Sequence, residues 1–150
     1  MSKFLDLLSS TEISDSIFAI AEHPFRYQSD VAGRLFTVPV GFFTDFASVP
    51  RIVPMIYALL GDTAHEPAAV HDWLYYSAVT TREMADNVLR EAIVTFGISA
   101  WRATLFFWGV RAGGWAAWNE HRKAGHPEFG KFADSPDILS KTQLAAQKVP

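Results

Sequence analysis

The sequence contains no cysteine. This absence excludes disulfide bridges, thiol nucleophiles and zinc sites ligated by cysteine. Charged residues make up only 19% of the chain and hydrophobic residues 49%, a composition too apolar for a disordered protein. The fold must therefore be held together by packing of a hydrophobic core, and a length of 150 residues suits one domain.

The chain also lacks an excess of basic charge and a long hydrophobic run. Its formal net charge is -3, so we expect no nucleic-acid partner. The most apolar stretch, Ala103 to Val110, is about eight residues long, whereas a membrane-spanning helix needs about twenty. Residues 1–11 show no secretory signal pattern. We therefore expect a protein without a signal peptide or a transmembrane helix.

The residue pattern predicts an α+β fold. β-forming residues between Ser16 and Val40 flank a turn at residues 29–33, which predicts a small N-terminal antiparallel sheet or hairpin. Start and stop signals then predict a packed bundle of about four helices, near Ser48, over 64–77, over 80–96 and over 99–123. We assign residues 1–125 to a single domain and the mostly polar residues 126–150 to an extended C-terminal arm or tail.

The most concentrated polar motif contains a histidine, two aspartates and a tyrosine. His71 and Tyr75 are four residues apart and share one helix face, whereas Asp72 points about 100° away. If this helix pairs antiparallel with the next one, Asp86 lies at the same height as His71. A hydrogen bond between them would fix one imidazole tautomer and leave the other ring nitrogen available as a base.

Two interpretations of this pair stay open. His71 is either a catalytic base or one half of a buried pair that ties two helices together. The carboxylates of Asp45 and Asp72 favour a functional site, since an unpaired buried charge is costly. A bound metal would use oxygen ligands, among them Asp72 or Asp45, because the chain offers no thiolates. Further polar side chains of the predicted pocket are Thr44, Ser48 and Arg51.

Tryptophans recur every seven residues near the end of the predicted bundle. Trp101, Trp108 and Trp115 fall on one helical stripe together with Leu105 and Ala112. The simplest interpretation is that this stripe packs in the core. The alternative is that it contacts a bilayer surface or a partner protein.

Two longer motifs resemble a family of unknown function that is associated with phages and prophages. The first is VPVGFFTDFASVPR at residues 38–51, and the second is HDWLY at residues 71–75, followed by Arg82 and Ala85-Asp86. The resemblance covers about residues 20 to 118. It implies a bacteriophage or prophage origin, and hence a location in the bacterial host cytoplasm or in the virion, without an established activity.

The helix motif is also similar to the catalytic helices of secreted calcium-dependent phospholipases and of the parvovirus capsid phospholipase domain. This resemblance implies that His71 activates water, that Asp72 binds calcium, that Asp86 orients the imidazole and that Tyr75 supplies a supporting hydroxyl. The chain departs from those enzymes at residues 41–45, where a single glycine stands in place of their glycine-rich calcium loop. It also lacks the cysteines of the secreted enzymes.

We therefore expect a phage-encoded hydrolase that acts on an envelope component. Its His71–Asp86 dyad would activate water, with a divalent cation such as calcium as a candidate cofactor. The alternative is a non-catalytic virion or tail accessory protein, or a protein that binds a host protein and thereby counteracts host defence. An enzyme needs an open cleft at His71, whereas a structural network is closed and fully hydrogen-bonded.

Overall fold

The computed structural model describes residues 1–14, 17–44 and 64–124. Within these ranges the chain forms six strands and then four helices, so the predicted α+β class is confirmed. The predicted helix near Ser48 and the predicted arm at 126–150 lie outside the described residues. The strands are β1 (Lys3–Phe4), β2 (Ser10–Ser14), β3 (Ile17–Ile20), β4 (Phe25–Ser29), β5 (Arg34–Val38) and β6 (Phe43–Thr44). The helices are α1 (His65–Ser77), α2 (Arg82–Thr95), α3 (Ala100–Gly113) and α4 (Trp115–Ala124).

The strands form two small antiparallel sheets, ordered β1-β4-β5 and β2-β3-β6. β4 and β5 are the predicted hairpin, in which Phe25 pairs with Val38 and Tyr27 pairs with Phe36. These four side chains are buried together, because residues two apart along a strand share one face of the sheet. Gly33 lies in the connecting turn with a φ of 63°, a left-handed conformation that favours glycine.

The carboxylate of Glu91 fastens α2 to this hairpin. It accepts hydrogen bonds from the hydroxyls of Tyr27 and Ser29, at 2.9 and 2.7 Å. It also accepts from the backbone N–H groups of Asp30 and Val31, at 3.0 and 2.8 Å. Glu91 thus accepts hydrogen bonds from hydroxyl and backbone N–H donors of the hairpin that have no partner within the sheet.

Helices α1 and α2 pack against each other across a short link, as predicted. α1 ends before Ala78, which adopts the left-handed conformation with a φ of 50°. The hydroxyl of Thr81 caps α2 by accepting a hydrogen bond from the backbone N–H of Met84. α1 is buried along most of its length, with Trp73 fully enclosed, so this helix lies at the centre of the core.

Helix α4 is held against the end of α1. The guanidinium of Arg122 donates hydrogen bonds of 2.6 and 2.7 Å to the carbonyls of Tyr75 and Tyr76. Trp118 packs edge-on against Tyr75, with ring centroids 5.3 Å apart. A cation at this position satisfies carbonyls that the last turn of a helix leaves unpaired. None of the helices described here is long and apolar enough to cross a membrane.

The tryptophan stripe of α3 is not part of the core. The helix packs against α2, and its buried residues are Ala103, Phe106 and Val110. Trp101 and Trp108 lie on the opposite side of α3 and are 56% and 64% exposed, and Trp115, the first residue of α4, is 58% exposed. The prediction that the stripe packs in the core is therefore wrong. Apolar residues occupy almost every side of α3, so their spacing does not determine which side turns inwards.

Candidate functional site

The predicted contact between His71 on α1 and Asp86 on α2 is confirmed. Nε2 of His71 lies 3.2 Å from Oδ1 of Asp86, and the two side chains are 1% and 0% exposed. The contact follows from the helix pair, because both residues stand at similar distances from the link between Ser77 and Thr81. The catalytic role of the pair stays a prediction.

Tyr75, one helical turn after His71, supports the same carboxylate. Its hydroxyl donates a hydrogen bond of 2.6 Å to Oδ1 of Asp86, and its ring centroid lies 4.1 Å from that of the imidazole. Burial raises the pKa of the Tyr75 phenol and the adjacent carboxylate raises it further, so the hydroxyl stays protonated. Gly114 permits this packing, because a Cβ added there would lie 2.5 Å from the Tyr75 hydroxyl oxygen.

Two arginines lie at the other oxygen of Asp86. Arg111 of α3 donates to Oδ2 at 2.9 Å, and Arg82 of α2 lies 3.8 Å from the same atom. Arg82 also donates to the backbone carbonyl of Arg111, so the cluster joins three helices. Neither arginine has a role in the prediction from sequence. The four-residue spacing from Arg82 to Asp86 is a signal for that contact, whereas the contact of Arg111 depends on how α3 packs.

Asp86 is held as an ionised acceptor. Burial by itself would raise its pKa, but hydrogen bonds from His71, Tyr75 and Arg111 outweigh burial and lower it. Since a carboxylate only accepts hydrogen bonds, Nε2 of His71 is the ring nitrogen that carries the proton. Nδ1 of His71 makes no hydrogen bond to any of the described residues. In the neutral imidazole, Nδ1 therefore keeps its lone pair.

A second polar contact ties α1 to the sheet. The hydroxyl of Thr44, at the end of β6, donates a hydrogen bond to Oδ2 of Asp72, and both side chains are buried. Asp72 thus turns towards β6, whereas His71 and Tyr75 turn towards α2. The remaining predicted site residues, Asp45, Ser48 and Arg51, lie outside the described residues.

A family model described as "Protein of unknown function (DUF1353)" matches residues 19–110, which is more than half of the chain. The chain belongs to the DUF1353 family. No curated protein and no solved structure gives a significant match. The matched range contains His71, Asp72, Tyr75 and Asp86, so most of the polar network lies within the DUF1353 region, and Arg111 follows its last residue.

The phospholipase resemblance implies a calcium site at Asp72, and the described residues of this DUF1353 chain do not form one. Calcium is bound by about six to eight oxygen ligands. Across residues 1–14, 17–44 and 64–124, no group of three or more His, Cys, Asp or Glu could hold a metal ion. One oxygen of Asp72 is already the acceptor for Thr44. We therefore assign no metal-dependent step to these residues.

Proposed function

We propose that this DUF1353 protein is a hydrolase in which His71 is the general base. The orientation of the imidazole carries the proposal: Nε2 lies 3.2 Å from Asp86, and Nδ1 makes no hydrogen bond to the described residues. The carboxylate fixes both the ring and its tautomer, as in other histidine bases that depend on an acidic partner. Nδ1 is therefore the atom from which water would be activated.

In the proposed reaction, water attacks the carbonyl carbon of an ester or amide while its proton passes to Nδ1 of His71. The resulting imidazolium is stabilised by the carboxylate of Asp86, which Tyr75 and Arg111 hold in place. The proton then moves to the leaving alkoxide or amine as the bond from carbon to that group breaks. This transfer returns His71 to its neutral form.

The sequence motifs support a bacteriophage or prophage origin for this proposed hydrolase. They lie at residues 38–51 and 71–86 and resemble a family associated with phages. A phage origin would place the protein in the bacterial host cytoplasm or in the virion. Its substrate would then be an envelope component, a phospholipid or peptidoglycan, and the resemblance to phospholipase helices favours an ester.

Burial of the site favours a second candidate function. His71 is almost completely buried, and both oxygens of Asp86 accept hydrogen bonds. A network that only ties helices together has the same features. In that case the protein is a non-catalytic virion or tail accessory protein, or one that binds a host protein.

An assay of the wild-type chain against phospholipids and peptidoglycan separates the two candidates. We expect hydrolysis of at least one substrate, because Nδ1 of His71 offers a lone pair to water. Each substrate is tested with calcium and with EDTA. Activity in EDTA shows that the base needs no metal, and activity only with calcium shows that residues outside those described complete a metal site. If no substrate is cleaved under either condition, the hydrolase proposal fails and the second candidate stands.

A further inference from the structure

Helix α3 and the first residue of α4 present large apolar side chains to solvent. We use the name tryptophan face for Trp101, Leu105, Trp108 and Trp115. All four are exposed, and Trp108 is the most exposed of them at 64%. Steps of four and three residues place Trp101, Leu105 and Trp108 on one side of α3, and Trp115 follows two residues after the end of that helix. The exposure is therefore a continuous stripe rather than scattered single residues.

The core does not require this stripe. The buried residues of α3 are on the opposite side, at Ala103, Phe106 and Val110. This is the side on which α3 packs against α2. Three of the five tryptophans in the chain lie on the exposed side. Large contiguous apolar patches on a protein surface mark sites that contact a membrane or another protein.

The charge around the tryptophan face is opposite to that of the whole chain. Residues 100–124 contain four basic residues and one acidic residue, for a formal charge of +3, whereas the complete chain has -3. Of the two arginines of α3, Arg111 is paired with Asp86, so Arg102, which is exposed, is the cation of this helix at the face. Arg102 lies over the ring of Trp101, 5.4 Å from its centroid, at the edge of the face. An anionic partner is therefore complementary to this region.

We propose that the tryptophan face lies on the surface of an anionic lipid bilayer, with α3 parallel to the membrane plane. Indole rings partition into the interface between headgroups and acyl chains, and the guanidinium of Arg102 beside them would contact anionic headgroups. This arrangement needs no membrane-spanning helix, and none of the described helices could be one.

A second copy of the chain is a less suitable occupant of the tryptophan face. Trp101, Leu105, Trp108 and Trp115 have the three- and four-residue steps of a coiled-coil seam, but they extend over only about two heptads. In a parallel pair, the flanking Arg102 side chains of the two copies would also lie next to each other, and their like charges would repel. The bilayer proposal rests on exposure and charge alone, and it does not depend on the hydrolase proposal.

Co-sedimentation of the full chain with lipid vesicles tests the proposal. We expect binding to vesicles of phosphatidylcholine mixed with an equal amount of phosphatidylglycerol, and little binding to phosphatidylcholine alone. Binding should weaken at high salt because headgroup attraction is screened. Trp108→Ser should lower vesicle affinity by about tenfold or more, because the variant has no indole ring at this position to transfer from water into the bilayer interface. The tryptophan emission of the wild type should shift to shorter wavelength on binding.

Leu7→Ser is the matched control, because Leu7 is also exposed and lies outside the tryptophan face. It should bind vesicles like the wild type, and both variants should keep the wild-type melting temperature. The proposal is overturned if the wild type binds neither kind of vesicle, or if Trp108→Ser binds as well as Leu7→Ser. Self-association that Trp108→Ser abolishes, without any vesicle binding, would instead assign the face to a second copy.

Discussion

Replacing Asp86 with asparagine is expected to lower the free energy of unfolding by about 3 kcal/mol, the loss typical of a broken buried ion pair. The carboxylate accepts from His71 and Tyr75 at one oxygen and from Arg111 at the other. An amide keeps the volume of the side chain but removes the charge and points N–H donors at one of these partners. Denaturant unfolding of the wild type and of Asp86→Asn measures the difference.

The same pair of proteins should converge in stability at low pH. The pKa of Asp86 in the folded protein lies below the ordinary aspartate value of 3.8. The ionised Asp86 carboxylate therefore stabilises the fold fully at pH values above 3.8. This stabilisation is lost as the pH falls through the lowered pKa of the folded protein. Glu83→Gln is the control, because Glu83 is an exposed carboxylate on the same helix. An Asp86→Asn loss no larger than that of Glu83→Gln would contradict the assigned network.

Replacing His71 with glutamine is expected to lower turnover on the cleaved substrate by about a hundredfold or more, the usual loss when a general base is removed. Glutamine is chosen because its amide nitrogen reaches about as far as Nε2, the atom that contacts Asp86. Asparagine ends nearer the position of Nδ1 and would leave the carboxylate without this donor. The melting temperature should change little, since the hydrogen bond to Asp86 is kept, with a cost of about 1 kcal/mol or less.

His23→Gln is the matched control for this experiment. His23 lies between β3 and β4, and its ring contacts the Pro24 carbonyl rather than the Asp86 network. The control should keep both activity and stability. If His71→Gln retains wild-type turnover, His71 is not the base. If turnover falls only in proportion to the folded fraction, the role of His71 is structural.

Features set by local sequence were predictable. The bounds of α1 and α2 follow from signals such as the Thr81 cap, and the β4–β5 hairpin follows from β-forming residues around the Gly33 turn. The contact between His71 and Asp86 was also predictable, because a short link between two packed helices fixes which residues lie side by side. Each of these features depends on neighbours within about 15 residues.

Features set by tertiary packing were not predictable in the same way. Arg111 reaches Asp86 across 25 positions of the sequence, and only the placement of α3 brings them together. The sequence predicts that the tryptophan stripe packs in the core, because large aromatic residues are usually buried. Since α3 is apolar on nearly all sides, only its contact with α2 decides that Ala103 and Val110 face inwards.

In the proposed site, Asp86 holds the Nε2–H group of His71 and leaves Nδ1 as the proton acceptor. Two-bond proton–nitrogen NMR correlations of the imidazole rings report which nitrogen is protonated, and His71→Gln identifies the His71 signals among the five histidines. In the neutral form of the His71 ring, we predict the proton on Nε2 and none on Nδ1. A neutral ring that carries its proton on Nδ1 would contradict the assignment of His71 as the base, because the lone pair would then face Asp86 and no base would be available to water.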